Sequence, residues 1–235
     1  MNMFRNSLFI ITLFLLIPVL SAQDCAFFIP LKQNSGIEYQ TFNQRDRLQG
    51  SQKVTILQVD REGGETIATM RSQAYDQRDR ELHQADYQVR CSGNQIMIDI
   101  QSMLDPNMMQ GYQGMEMEIE SSFIVLPGDL SVGQDLPEAE MKMKVGTSGV
   151  TIADISLRLI NRTVEGKETI TVPAGTFETY KISYDLETET RAMGIPVRLN
   201  IKVVEYHAPN IGAVRTENYD NRERLQGYTV LSKVF

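Results

Sequence analysis

Three stretches of this chain alternate apolar and polar residues without a break. Met115-Glu116-Met117-Glu118-Ile119-Glu120 is one, Met141-Lys142-Met143-Lys144-Val145 the second, and Val197-Arg198-Leu199-Asn200-Ile201-Lys202-Val203 the third. Period-2 alternation puts one set of side chains on each face of a strand, so one face can be buried while the other stays wet. Further strand-like runs are 37–42, 53–60, 65–75, 87–91, 96–100, 151–162, 168–172, 177–190, 214–219 and 228–234. Turn residues separate many of them, as at Glu62-Gly63-Gly64, Ser92-Gly93-Asn94 and Glu165-Gly166-Lys167. About a dozen strands with short connections predict an all-β, antiparallel fold.

Residues 1–22 carry one charge, Arg5, then the apolar run 8–17, Pro18 and the small pair Ser21-Ala22. This is the pattern of a secretory signal peptide, with cleavage expected after Ala22. The run is too short to span a membrane, which takes roughly 20 apolar residues. No transmembrane segment is therefore expected in the mature chain. A lipid anchor on Cys25 would need a small residue just before it, and Asp24 stands there instead. Cleavage of the 235-residue precursor would leave 213 residues, 23–235, enough for one β domain with a real core. The net charge of −7 becomes −8 without Arg5. An acidic chain is a poor nucleic-acid binder, because phosphate contacts need clustered Lys and Arg. The only cysteines, Cys25 and Cys91, both lie in the exported part, where a disulfide can form. Such a bridge would tie the N-terminal tail to the body. The alternative is two unrelated thiols.

Helix signals are scarce. The one candidate is 105–111, with Asp105 able to cap, Pro106 at the first helical position and Gly111 at the end. The Pro- and Gly-punctuated stretch 126–137 reads as an ordered crossing loop. A local echo recurs at 42–48, 75–80 and 219–225: an aromatic, Asn or Asp, then Arg-Asp-Arg or Arg-Glu-Arg toward the tip. It reads as a reused hairpin tip. If the tips share one rim, Arg45, Arg47, Arg78, Arg80, Arg222 and Arg224 could gather for an anionic partner, although Asp46, Asp79 and Glu223 oppose this by neutralising them.

Catalytic and metal-binding patterns are missing. His83 and His207 have no third ligand spaced for zinc, and His207 beside Pro209 reads as a loop residue. There is no Gly-x-Ser-x-Gly elbow, Walker loop or dinucleotide fingerprint. No catalytic residue, metal or cofactor is expected. The methionines are unusual instead. Ten remain after residue 22, six of them between Met97 and Met117. Flexible thioethers fill irregular cores, line adaptable apolar grooves or, less commonly, bind copper(I). The groove reading makes Met97, Met103, Met108, Met109, Met115 and Met117 the candidate ligand lining.

The stretch Ile170-Thr171-Val172-Pro173-Ala174-Gly175-Thr176-Phe177, the closing run 206–217 and the opening Phe28-Ile29-Pro30-Leu31-Lys32 resemble the TapB-like family of exported bacterial proteins. The resemblance implies a strongly curved antiparallel half-barrel, similar to the LolA and LolB lipoprotein carriers, whose concave faces hold acyl chains. It brings no catalytic residues. Pro173 and Gly175 would serve as a corner. The expectation is thus a single curved sheet with the helix at 105–111 plugging its concave face. It would belong to a non-catalytic envelope protein holding an apolar small molecule or acyl chain. The alternative is an interaction module that engages another envelope protein through hairpin tips or a sheet edge.

Overall fold

The structure is a computed structural model that describes residues 28–104, 106–192 and 195–235; the expected signal peptide, Cys25 and Asp105 lie outside the described residues. The strands are β1 (Gly36–Asn43), β2 (Leu48–Glu62), β3 (Glu65–Asp76), β4 (Glu81–Ser92), β5 (Gln95–Asp99), β6 (Glu116–Ser121), β7 (Phe123–Pro127), β8 (Ala139–Thr147), β9 (Val150–Val172), β10 (Gly175–Ala192), β11 (Ile195–Ala208), β12 (Gly212–Tyr219) and β13 (Leu225–Val234). A 3-10 turn, Ile100–Met103, and a short helix α1, Pro106–Gly111, stand between β5 and β6. Asp99 opens that turn by accepting a hydrogen bond from the Gln101 amide at 3.0 Å.

All thirteen strands form one antiparallel sheet in the order β6-β8-β9-β10-β11-β12-β13-β1-β2-β3-β4-β5-β7. Its two edges are neighbours in sequence. β6 pairs with β8 up to Ser121↔Met141, and β7 pairs with β5 from Phe123↔Asp99. Ser122 between them donates its amide to Glu140 O at 2.9 Å. The chain therefore changes partner within one residue, and the sheet nearly closes into a barrel. This goes further round than the expected half-barrel. Closure spares a long sheet two unpaired edges.

The alternating runs behave as strands of a two-faced sheet. Glu118 and Glu120 oppose Lys144 and Lys142 on the outer face of β6 and β8. Met141, Met143 and Val145 are fully buried on the inner one. β9 differs from expectation, running unbroken through Glu165-Gly166-Lys167. Pairing with β10 holds these residues extended, and register shifts there absorb the irregularity as bulges. Val172-Pro173-Ala174-Gly175 is the turn between β9 and β10, with Gly175 at φ 143°. It is a corner, and its Ala174 amide donates to Leu231 O across the sheet.

The three echoed segments are hairpin tips. Asn43, Asp76 and Asp220 each accept two backbone amides, from the second and fourth residues after them. Asp46, Asp79 and Glu223 take left-handed φ of 56–58°. The tips lie at one end of neighbouring strands, and Tyr228 Oη donates to Asp46 at 2.8 Å. Arg80 and Arg224 fold back on Asp76 and Asp220 at 2.6 Å. Arg224 holds the Asp220 carboxyl down at about 2. The rim is thus already partly neutralised from within.

Cys91 is buried on β4 and holds no free thiol. A Cys25–Cys91 bridge is expected to leave no sulfur open to alkylation when the exported chain is denatured without reductant. Two labelled cysteines would refute it. Closing a loop of this length is worth roughly 4 kcal/mol in the chain-entropy model.

Candidate functional site

Apolar side chains gather in two clusters. One centres on Ile56, Met70, Val89, Val164, Ile182 and Leu231, and the other on Ile100, Met109, Met141, Met143, Ile155 and Leu159. Between them lies a cavity of about 280 Å³. Ile37, Val54, Ile98, Ile124, Leu126 and Leu159 line its apolar wall, together with Tyr39, Tyr87 and Met103. Its polar end is built by Arg162, Tyr184, Glu205 and His207.

Arg162 reaches the interior because of a bulge. Strict alternation from Leu157 and Leu159 would point Asn161 inward and Arg162 outward. Asn161 instead adopts a left-handed φ of 54°, which Asn tolerates better than most residues. The register slips there: Ser183 pairs with Thr163, but Asp185 pairs with Ile160. Asn161 turns out to bond Asp185 at 2.7 Å, and Arg162 turns in at 4 % exposure. A bulge re-aims a side chain in this way wherever two residues oppose one.

Inside, Arg162 Nη1 donates to Val125 O at 3.2 Å and to Pro137 O. Its own carbonyl accepts from the Leu136 amide at 2.8 Å. The same loop is held to β9 by Val164 and Thr163, through Gln134 O and Asp135 Oδ1. One buried guanidinium therefore ties β7 and the crossing loop 128–138 to β9. The loop is ordered, as expected.

Glu205 and His207 come from β11, on the same face as the buried Val203. Tyr184 Oη donates to Glu205 Oε1 at 2.8 Å, and His207 Nε2 lies 2.7 Å from Glu205 Oε2. A carboxylate can only accept, so Nε2 carries the hydrogen. Burial alone would raise the Glu205 carboxyl, but His207, Tyr184 and the Arg162 charge outweigh it and hold Glu205 below the ordinary carboxylate range. Burial lowers the Arg162 guanidinium, opposed by Glu205, yet an arginine remains charged. Burial and Glu205 push the Tyr184 phenol well up. His207 is thus a buried strand residue, 5 % exposed, and not a loop residue.

The six methionines disperse. Met103 lines the cavity, and Met109 is a buried member of the second cluster. Met108 and Met115 pack against that cluster. Met97 alternates with the inward Ile96 and Ile98, which places it on the other face of β5. Met117 is 44 % exposed. The polar quartet escaped the sequence reading because Arg162 depends on a bulge, and Glu205 looks like any outward acid in an alternating strand.

Another surface stands apart. Ile195, Val197 and Leu199 are 69 %, 66 % and 58 % exposed on the outer part of β11. β12 pairs with β11 only from Lys202 onward, so this part is an open edge. Among the described residues no helix is long and apolar enough to cross a membrane.

A family model described as DUF3108-like matches residues 32–231. A lipoprotein candidate from Parabacteroides distasonis has a similar fold, with a TM-score of 0.74 at 23% identity over 91% of this chain and 100% of that one. An exported-protein candidate with a YmcC-like fold from Bacteroides fragilis gives 0.72 at 21% identity over 90% and 100%. No curated protein matches the chain.

Proposed function

The chain belongs to the DUF3108-like family, and from that premise and the geometry above we propose that it is a non-catalytic exported envelope protein that holds an apolar ligand inside its sheet. The observation that carries this reading is the cavity of about 280 Å³ between the two apolar clusters. Its size is near the lower end of small-molecule sites, roughly 300 Å³ and above. The rings of Phe28, Tyr39, Tyr87 and Tyr184 and several aliphatic side chains face it, which suits a short acyl or alkyl chain better than a sugar or nucleotide. Ile100 and Met109 are buried in the second cluster and Met103 reaches the cavity, so these residues cover part of the sheet's inner face. Binding rather than catalysis is supported by the polar end. His207 spends Nε2 on Glu205, and no Ser, Thr or Cys side chain bonds its Nδ1.

Native mass spectrometry of the protein purified from its own envelope fraction tests this. A small apolar mass that leaves on organic extraction is the expected result. A chain that carries no such mass, and that fails to bind the neutral reporter N-phenylnaphthylamine, would overturn the reading. A second reading, an interaction module, is favoured by the open, apolar edge at Ile195, Val197 and Leu199. In the same spectra it would appear as a bound protein chain or a second copy.

A further inference from the structure

We propose that the polar end of the cavity selects a neutral oxygenated head, a hydroxyl or a carbonyl, at the end of the apolar chain, with Arg162 as the donor that recognises it. This inference rests on the apolar-ligand reading above and deepens it. Arg162 is 4 % exposed and donates through Nη1 alone, to Val125 O and Pro137 O. Nε has no partner. A guanidinium carries five N–H donors and cannot shed them by losing its proton. Donors of this kind, buried and lining a cavity, are costly unless an acceptor meets them.

The charge of the site decides which acceptor. Arg162 is positive and Glu205 negative, and both Glu205 oxygens are already bonded, one by Tyr184 and one by His207. The charges of Arg162 and Glu205 offset one another within the quartet. A carboxylate head would add an uncompensated negative charge to a buried site, which is expensive. A hydroxyl or ester carbonyl gives Arg162 its acceptor without that penalty. A hydroxyl has a further advantage. His207 Nδ1 has no partner while Nε2 bonds Glu205, and a hydroxyl can both donate and accept at this end.

The test uses the full exported protein and four probes of equal chain length: octanol, methyl octanoate, octanoate and octane. Each displaces bound N-phenylnaphthylamine. Octanol and methyl octanoate should bind about tenfold or more tightly than octane, the effect of one satisfied charge-assisted hydrogen bond, and more tightly than octanoate. Equal affinities for octanol and octane would overturn the head-group inference and leave the apolar reading standing. Octanoate binding tightest would overturn the neutral head. Failure of the reporter and of every probe to bind would remove the apolar reading itself. Arg162→Met, once shown folded by circular dichroism, should lose the preference for octanol over octane while still binding octane. A folded variant that keeps the full preference would remove Arg162 from the role. The wild-type series decides the matter if that variant does not fold.

Discussion

Arg162→Ala is expected to lower stability by about 3–5 kcal/mol, because two buried carbonyls lose charge-assisted hydrogen bonds worth roughly 1.5–3 kcal/mol each. The substitution deprives Val125 O and Pro137 O of their donor, and it takes from the buried Glu205 the Arg162 charge that helps to hold its carboxyl down. It also removes one of the ties that hold β7 and the crossing loop to β9, where the sheet closes. For a chain of this size the Tm should fall on the order of 10 °C. Adding Glu205→Gln to the Arg162→Ala background should recover part of the loss, because the charge left alone is then removed; a double-mutant cycle reads the coupling. A loss below about 0.5 kcal/mol would mean that the guanidinium is not structurally engaged.

The same quartet sets a pH dependence. Glu205 has a folded pKa below its unfolded value, so its contribution is complete above the ordinary carboxylate pKa and is lost as pH falls through the depressed one. Stability of the wild type should therefore decline below about pH 5 more steeply than that of the Arg162→Ala, Glu205→Gln double variant. Superimposable curves would show that Glu205 adds nothing to the acid limb.

Met141→Ala is expected to cost about 2–5 kcal/mol, whereas Met117→Ala should stay within about 0.5 kcal/mol. Met141 is 0 % exposed among Met143, Ile155 and Leu157, and truncation there opens a cavity that a closed sheet cannot collapse around. Met117 is 44 % exposed, so its truncation removes little packing. Urea unfolding measures both. Equal effects would mean that Met117, which shares the inner face with Met141 but lies on the edge strand β6, is as enclosed as Met141.

The methionines show how far pattern reading reaches. Alternation correctly placed Met141 and Met143 on one buried face, because pairing forces side chains two apart to the same side. It did not distinguish Met103, at the cavity, from Met97, on the far face of β5, because their spacing crosses a 3-10 turn that breaks the period. Of those methionines, Met103 lines the cavity. The residues that build the polar end went unread, since neither Glu205 nor His207 carries a local signal of burial.

By itself the sequence determined the class of fold. Residues of period two, broken by Gly, Asn and Pro, can bury an apolar face only as paired antiparallel strands. It also determined the three hairpin tips, whose Asn or Asp side chains cap their own turns locally. Only the tertiary structure decided that Ser122 joins the two edges, that Asn161 turns Arg162 inward, and that Val197 and Leu199 stay exposed while Val203 is covered. The reason is that periodicity records which side chains share a face. Whether that face meets water, a cavity or another strand depends on neighbours that are distant in sequence.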